Sequence, residues 1–81
     1  MKKCKGMRAV ILLRCSPGKY RKVAREIKNL SEDILVFPIL GRWDVFVKTK
    51  IDNLNELREI LGKIMKIGSI EESETLIEME V

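Results

Sequence analysis

The sequence contains no histidine, which removes the commonest general base of enzymes and a favoured zinc ligand. No serine, cysteine or lysine stands beside an obvious activating partner, so nothing in the sequence indicates catalysis. The two cysteines, Cys4 and Cys15, are too few for a disulfide framework and lack the close spacing of a redox or zinc motif. We expect an exposed thiol at Cys4 and a small apolar residue at Cys15. The sequence therefore predicts neither an enzyme nor a metal or cofactor site.

Long apolar runs are also lacking. No stretch approaches the roughly 18 apolar residues of a membrane span. The basic start of the chain is followed by an apolar run of only strand length, so it does not have the pattern of a signal peptide. We therefore expect a cytoplasmic protein with no membrane partner. The 81 residues suffice for one small domain, at 7–81, preceded by a basic extension at 1–6. A domain of this size buries only about 60% of the surface that its unfolded chain exposes, which limits its stability. Small domains therefore often gain stability by self-association.

The first part of the chain has almost no acidic residues, and the last part has no basic residues. Residues 1–28 contain ten Lys or Arg and one acid, Glu26, whereas residues 67–81 contain five Glu and no base. Since the last strand of a compact fold can lie beside the first, we expect much of this asymmetry to cancel between neighbouring strands. The four aromatic residues are scattered, and there is no glycine-rich phosphate loop. A solvated or internally paired charged face thus fits better than a phosphate footprint.

The first half of the chain predicts a strand, a helix and a second strand. Met7–Cys15 alternates loosely, with apolar residues on both faces. Ser16 suits the N-cap of the first helix and Pro17 its first helical position. The apolar stripe of that helix comprises Tyr20, Val23, Ala24, Ile27 and Leu30. Ile34–Leu40 then reads as a strand in which Pro38 favours an edge or a bulge.

The second half predicts a strand, a helix and a final strand. After the polar turn Gly41–Asp44, Val45–Lys50 is rich in residues that favour strands. Asp52 or Asn53 can cap the second helix, and Asn53 with Glu56 has the spacing of a capping box. Its buried stripe comprises Leu54, Leu57, Ile60, Leu61, Ile64 and Met65, with Gly68 ending the helix. The final strand comprises Thr75, Ile77, Met79 and Val81, alternating with Leu76, Glu78 and Glu80.

These elements predict an α+β fold, a ferredoxin-like βαββαβ sandwich. Two helices with single apolar stripes cover one face of a four-stranded sheet, yet the first two strands are apolar on both faces. The economical cover for the second face is another copy of the same sheet. We therefore expect a homodimer through sheet-face packing, a dimeric α/β barrel.

Several short motifs together resemble the ligand-binding domain of the leucine-responsive regulatory protein and AsnC family, also called the RAM domain. The resemblance covers nearly the whole chain, from Met7 to Met79. The motifs are Pro17-Gly18, Gly41-x-x-Asp44 followed by Val45-Phe46-Val47-Lys48, Asp52-x-Leu54, and Ile70-x-x-Ser73-x-Thr75. No single motif is specific to the family. The order and spacing of the motifs together carry the resemblance.

The resemblance implies a non-enzymatic domain that dimerises through its sheet and assembles further into rings of dimers. Family members with an N-terminal helix-turn-helix are transcription regulators that respond to small effectors, chiefly amino acids. This chain shows no such segment, so we expect a stand-alone effector-binding domain that does not bind DNA directly and co-assembles with full-length regulators. In the family the effector lies between dimers, beside the turn between the second and third strands and hydroxyl residues of the last strand.

Carried over by position, the effector site comprises Gly41, Arg42, Trp43, Asp44, Ser73 and Thr75. A carboxylate at Asp44 suits the ammonium of an amino acid, while Arg42, backbone amides, Ser73 and Thr75 suit its carboxylate. Trp43 would form an apolar wall.

Structural roles compete with these assignments. Asp44 can simply brace the turn, Gly41 can supply a positive φ, and Trp43 can fill an interface. Ser69 stands where the family usually has glycine, and Ser73 where threonine is commoner. Two further hypotheses therefore remain open: an assembly module without an effector site, and, less favoured, a small enzyme of the dimeric α/β-barrel type.

Overall fold

The computed structural model describes residues 6–79, which form one antiparallel sheet and two helices. The elements are β1 (Met7–Cys15), α1 (Tyr20–Lys28), β2 (Leu35–Pro38), β3 (Val45–Ile51), α2 (Leu54–Met65) and β4 (Ile70–Ile77). The strand order is β2-β3-β1-β4, with every neighbouring pair antiparallel. The predicted ferredoxin-like βαββαβ fold is confirmed. Residues 1–5 of the predicted extension, Cys4 among them, and Glu80 and Val81 of the predicted last strand lie outside the described residues.

The core lies between the helices and one face of the sheet. Alternate residues of β1 and β3 point into it, as the period of two in each strand requires. Val23 and Ile27 of α1 and Leu57 and Ile64 of α2 pack against them. Cys15 is 5% exposed, which confirms it as a small apolar residue of the core. The buried residues of the two central strands are Ala9, Ile11, Leu13, Cys15, Val45, Val47, Thr49 and Ile51.

The predicted start of α1 at Ser16 and Pro17 is wrong. The helix begins at Tyr20, its N-cap is Lys19, and no side chain caps it. The carbonyl of Ser16 instead accepts a hydrogen bond from the Lys19 N–H at 3.0 Å, and Gly18 has a φ of +78°. Proline followed by glycine at positive φ is typical of a type II turn, and a left-handed residue cannot continue a right-handed helix.

The start of α2 is capped as predicted, although its stripe is narrower. The Asn53 Oδ1 accepts a hydrogen bond from the Glu56 N–H at 3.0 Å, and the Glu56 Oε1 accepts one from the Asp52 N–H at 2.9 Å. Leu54 and Met65, predicted to be buried, are 56% and 45% exposed. They lie on the flank of the stripe at the two helix ends, beyond the part that the sheet covers. Gly68, three residues past the helix, has a φ of +81°.

The two outer strands differ from their predicted bounds. β2 is confirmed as an edge strand and ends at Pro38, which lies opposite Val45. β4 begins at Ile70, because its start pairs with Cys15 at the end of β1. It ends at Ile77, so Met79, predicted to belong to this strand, follows it and is 83% exposed.

The second face of the sheet, which we call the open face, carries no helix within residues 6–79. Residues that lie opposite each other on neighbouring strands point to the same face of the sheet. The strand register therefore identifies which side chains belong to the open face. Phe37 and Phe46 stack there with ring centroids 4.9 Å apart. The apolar members of the open face are Val10, Leu12, Leu35, Phe37, Phe46 and Leu76. The predicted apolar second face is thus present. No helix of the described chain is long and apolar enough to cross a membrane.

Charges at the edges of the open face pair across β1 and β4, as predicted. The Arg8 guanidinium contacts the Glu78 carboxylate at 2.6 Å, and Arg14 contacts Glu72 at 3.3 Å. The hydrogen bond from Arg8 lowers the pKa of Glu78 below its ordinary value. The acidic end of the chain is therefore partly neutralised by the first strand.

Candidate functional site

The turn between β2 and β3 is fastened to the end of β1 by hydrogen bonds. The Ile39 N–H donates to the Asp44 carbonyl at 2.9 Å, and the Asp44 N–H donates to the Leu13 carbonyl at 2.8 Å. The Cys15 N–H donates to the Asp44 Oδ2 at 2.8 Å. Asp44 thus continues the ladder between β1 and β3 by one step with its side chain, and the predicted bracing role is real.

Gly41 and Arg42 form the exposed tip of this turn. Gly41 has a φ of +129°, a conformation that L side chains rarely adopt. A Cβ there would meet no atom within 4 Å, so the backbone conformation is what favours glycine. Arg42 is exposed and makes no ion pair within the described residues. Its guanidinium remains available to an anion.

Trp43 is half-buried and is already in contact with a cation. The guanidinium carbon of Arg14 lies 5.7 Å from the centroid of the Trp43 ring, within the range of a cation–π interaction. Since Arg14 also pairs with Glu72, it links the turn to β4 across the open face. Arg14 was not among the site residues predicted from the sequence, because only the fold brings it between Trp43 and Glu72.

Ser73 and Thr75 lie on β4, opposite Leu13 and Ile11 of β1. They therefore share the helix-covered face with those buried residues, whereas Trp43 and Arg14 lie toward the open face. Two strand spacings of about 4.8 Å each separate β4 from β3. One protomer therefore does not bring Ser73 or Thr75 together with the Gly41–Asp44 turn.

A half-open hollow of about 250 Å³ adjoins Asp44. It is smaller than the roughly 300–1,000 Å³ of most ligand pockets, a size that suits a small metabolite. Of its five lining residues, only Asp44 was among the site residues predicted from the sequence. Tyr20 was assigned to the core by its spacing but is 37% exposed, and Leu40 is fully exposed. The walls comprise Tyr20, Pro38, Ile39, Leu40 and Asp44.

The electrostatics around Cys15 do not favour nucleophilic chemistry. Burial raises the pKa of the Cys15 thiol above its ordinary value, and the negative charges of Asp44 and Glu71 add to that rise. Because the thiolate is the reactive form, a raised pKa keeps this thiol inert near neutral pH. Cys15 contributes to the site through its backbone N–H, which donates a hydrogen bond to the Asp44 carboxylate and orients it. Within residues 6–79, no three His, Cys, Asp or Glu side chains are grouped to hold a metal ion.

Comparison with known proteins gives a family and a set of relatives. Residues 8–81 match the family model for the Lrp/AsnC ligand binding domain. The chain is 32% identical over 73 residues to the HTH-type transcriptional regulator FL11 of Pyrococcus furiosus, a match that covers 90% of this chain and 48% of that protein. The chain thus spans about half the length of the curated relatives it matches.

Solved structures agree with this match. The hypothetical protein PHS023 from Pyrococcus horikoshii superposes with a TM-score of 0.80 and 27% identity, covering 94% of this chain and 93% of that one. The transcriptional regulator NMB0573 from Neisseria meningitidis, in complex with L-Met, superposes with a TM-score of 0.77 and 13% identity over 94% of this chain and 51% of that one. The second likeness concerns the fold alone.

Proposed function

The chain belongs to the Lrp/AsnC ligand-binding domain family, and from this membership we propose that it is an effector-binding domain whose effector is an amino acid. In this proposal it is not an enzyme. It acts in the cytoplasm and modulates transcription by co-assembling with full-length regulators of its family. Several curated relatives are HTH-type transcriptional regulators, and a regulator of the same fold is known in complex with L-Met.

The observation that carries the proposal is the state of Asp44. One carboxylate oxygen is held by the Cys15 N–H, while the other makes no hydrogen bond with the described part of the chain. The side chain is therefore oriented and still has an acceptor to offer. An ammonium group bound there would gain a charge-assisted hydrogen bond, with the apolar walls of the adjoining hollow beside it.

The carboxylate of the effector needs several donors, and one protomer does not bring all of them to Asp44. Arg42 at the tip of the turn supplies one such donor, with Gly41 giving the turn its shape. Ser73 and Thr75 supply hydroxyls from β4 of a neighbouring dimer, and Trp43 supplies an apolar surface. We therefore place the complete site between dimers, in an assembly of two or more homodimers.

A thermal-shift screen of the protein against the common amino acids tests the proposal. At about 100 times its dissociation constant, a ligand stabilises the folded state by about 2.7 kcal/mol. For a domain of this size each kcal/mol raises the melting temperature by roughly 4–8 °C. We expect a clear shift with one chemical class of amino acid. Silence with every amino acid would overturn the proposed effector class.

The Asp44→Asn variant tests the site itself. Asparagine keeps an oxygen for the Cys15 N–H but replaces the second acceptor with a donor, so the turn should persist while ammonium binding is lost. We expect roughly 10–150-fold weaker binding, since a hydrogen bond to a charged group contributes about 1.5–3 kcal/mol. The Asp52→Asn variant is the matched control, because it removes a charge beside α2 and should bind as the parent does. Equal affinity in all three proteins would place the effector elsewhere.

A second candidate function, an assembly module without an effector, is favoured by one specific feature. The Trp43 ring contacts the Arg14 guanidinium, and the Asp44 carboxylate accepts a hydrogen bond from the Cys15 N–H. Both side chains therefore already have a structural role. A stable oligomer that binds none of the amino acids would support this alternative.

A further inference from the structure

The outer face of α1 is strongly basic. Arg21, Lys22, Arg25 and Lys28 are all exposed, and they lie on the side of the helix opposite the buried residues Val23 and Ile27. We call these four residues the α1 basic face. In a dimer formed through the open face of the sheet, α1 lies on the outside, so the α1 basic face remains accessible.

No ion pair neutralises the α1 basic face within residues 6–79. The ion pairs of that part of the chain belong to Arg8 and Arg14, both on β1. Arg21 contacts only the ring of Tyr20, at 5.9 Å. The pairing that cancels charge between β1 and β4 therefore does not extend to the four cations of the α1 basic face.

These charges act against the stability of their own helix. Arg21 and Arg25 are four residues apart, and Arg25 and Lys28 are three apart, which are the spacings at which like charges repel on a helix. Arg21 and Lys22 also lie in the first turn, where the helix dipole disfavours cations and no acidic residue offsets them. A bound polyanion would remove both penalties.

We propose that the α1 basic face binds the phosphate backbone of double-stranded DNA, without reading its sequence. Arg21 and Lys28 are seven positions apart, so the face extends about 10 Å along the helix axis. Duplex DNA carries one negative charge per about 1.7 Å, which gives about six charges over that length. None of the four residues of this face is aromatic, and the neighbouring Tyr20 ring is already in contact with Arg21. This proposal departs from the sequence-based expectation of no direct DNA binding, while keeping its expectation that no base is read.

The acidic strand of a second copy is a weaker partner for this face. Of the exposed glutamates near β4, Glu72 and Glu78 already pair with arginines of β1. Within residues 6–79, Glu71 and Glu74 remain, two charges against the four of the α1 basic face. A duplex matches all four cations, so the charge balance favours nucleic acid. This inference does not depend on effector binding.

Fluorescence anisotropy with a labelled DNA duplex of arbitrary sequence, titrated at several salt concentrations, tests the proposal. Four phosphate contacts predict a slope of about −3.6 for the logarithm of affinity against that of salt. The affinity should therefore fall about 150-fold between about 50 and 200 mM salt. No binding at the lowest salt would overturn the proposal.

The triple variant Arg21→Gln, Arg25→Gln and Lys28→Gln should bring the slope to about −0.9. Circular dichroism checks that it stays folded. The charge-retaining variant Arg21→Lys with Arg25→Lys should bind as the parent does, since each cation acts as a point charge.

Two control variants remove the same number of cations elsewhere. Arg58→Gln, Lys63→Gln and Lys66→Gln act on and beside α2, and Lys2→Gln, Lys3→Gln and Lys5→Gln act at the start of the chain. Both should keep the slope of the parent. If either control loses binding as fully as the α1 variant does, the α1 basic face is not the site. The proposal is also wrong if the parent binds no duplex while the triple α1 variant has a different oligomeric mass. In that case the α1 basic face contacts another copy of the chain.

Discussion

Ser69 is the one non-glycine residue among residues 6–79 with a positive φ, at +64°. It follows Gly68 at the entrance to β4, and its carbonyl accepts a hydrogen bond from the Ser16 N–H at 2.8 Å. The left-handed conformation costs an L residue about 1–2 kcal/mol, and glycine avoids that cost. The resemblance led us to expect glycine here, and the backbone conformation supplies the physical reason.

At the residue scale, Ser69→Gly should stabilise the protein. The gain should be about 0.5–1 kcal/mol, because the greater freedom of glycine in the unfolded chain offsets part of the relief. Urea denaturation measures this as a higher midpoint with an unchanged slope. Ser69→Ala is the control, since it removes the hydroxyl and keeps the Cβ. A gain in the alanine variant as large as in the glycine variant would contradict backbone strain as the cause.

At the scale of elements, the two helices begin in different ways. α2 has a side-chain cap at Asn53 and Glu56 in its first turn, whereas α1 has neither a side-chain cap nor an acidic residue there. α1 depends on Val23 and Ile27, which are fully buried. Packing therefore holds α1 in place, while α2 is also supported locally.

Asn53→Ala should lower the free energy of unfolding by about 1 kcal/mol, because the N–H of Glu56 loses its acceptor. Asn55→Ala, at an exposed position inside the same helix, is the matched control. It should leave stability unchanged or raise it slightly, since alanine has the higher helix propensity. Chemical denaturation compares the two, and equal effects would mean that the cap contributes nothing specific.

For the whole molecule, we propose that two copies of the chain pack together through the open face of the sheet. It presents the stacked pair Phe37 and Phe46 beside Val10 and Leu12, with the Arg8–Glu78 and Arg14–Glu72 ion pairs at its margins. An apolar centre with a polar rim is the usual anatomy of a protein interface. The proposed effector site between dimers depends on this contact being made first.

Phe46→Glu should therefore convert the protein to a monomer, since a buried carboxylate without a partner is costly at the centre of an interface. Light scattering after size exclusion measures the mass, with at least twice the 9.4 kDa of one chain expected for the parent. Leu54→Glu is the control, because Leu54 is 56% exposed on α2 and away from the open face. A parent that is monomeric at micromolar concentration would contradict the dimer.

The sequence by itself determined the order of the elements, the alternation of β1 and the cap of α2 at Asn53. These features depend on local periodicity and on hydrogen bonds between near neighbours, which residue spacing reveals. It also marked Pro38 as a feature of an edge strand, because proline lacks the N–H that a central strand requires. The start of α1 was missed since Pro17-Gly18 suits both a helix entry and a tight turn, and only the φ of Gly18 distinguishes them.

Tertiary structure alone decided how the candidate site is arranged. The hydrogen bond from Cys15 to Asp44 joins residues 29 positions apart, and Arg14 meets both Trp43 and Glu72 only because β1 lies between β3 and β4. The same register sets Ser73 and Thr75 on the other side of the sheet from Trp43. Contacts of this kind depend on strand order and facing, which no local pattern contains, because they arise when distant segments pair.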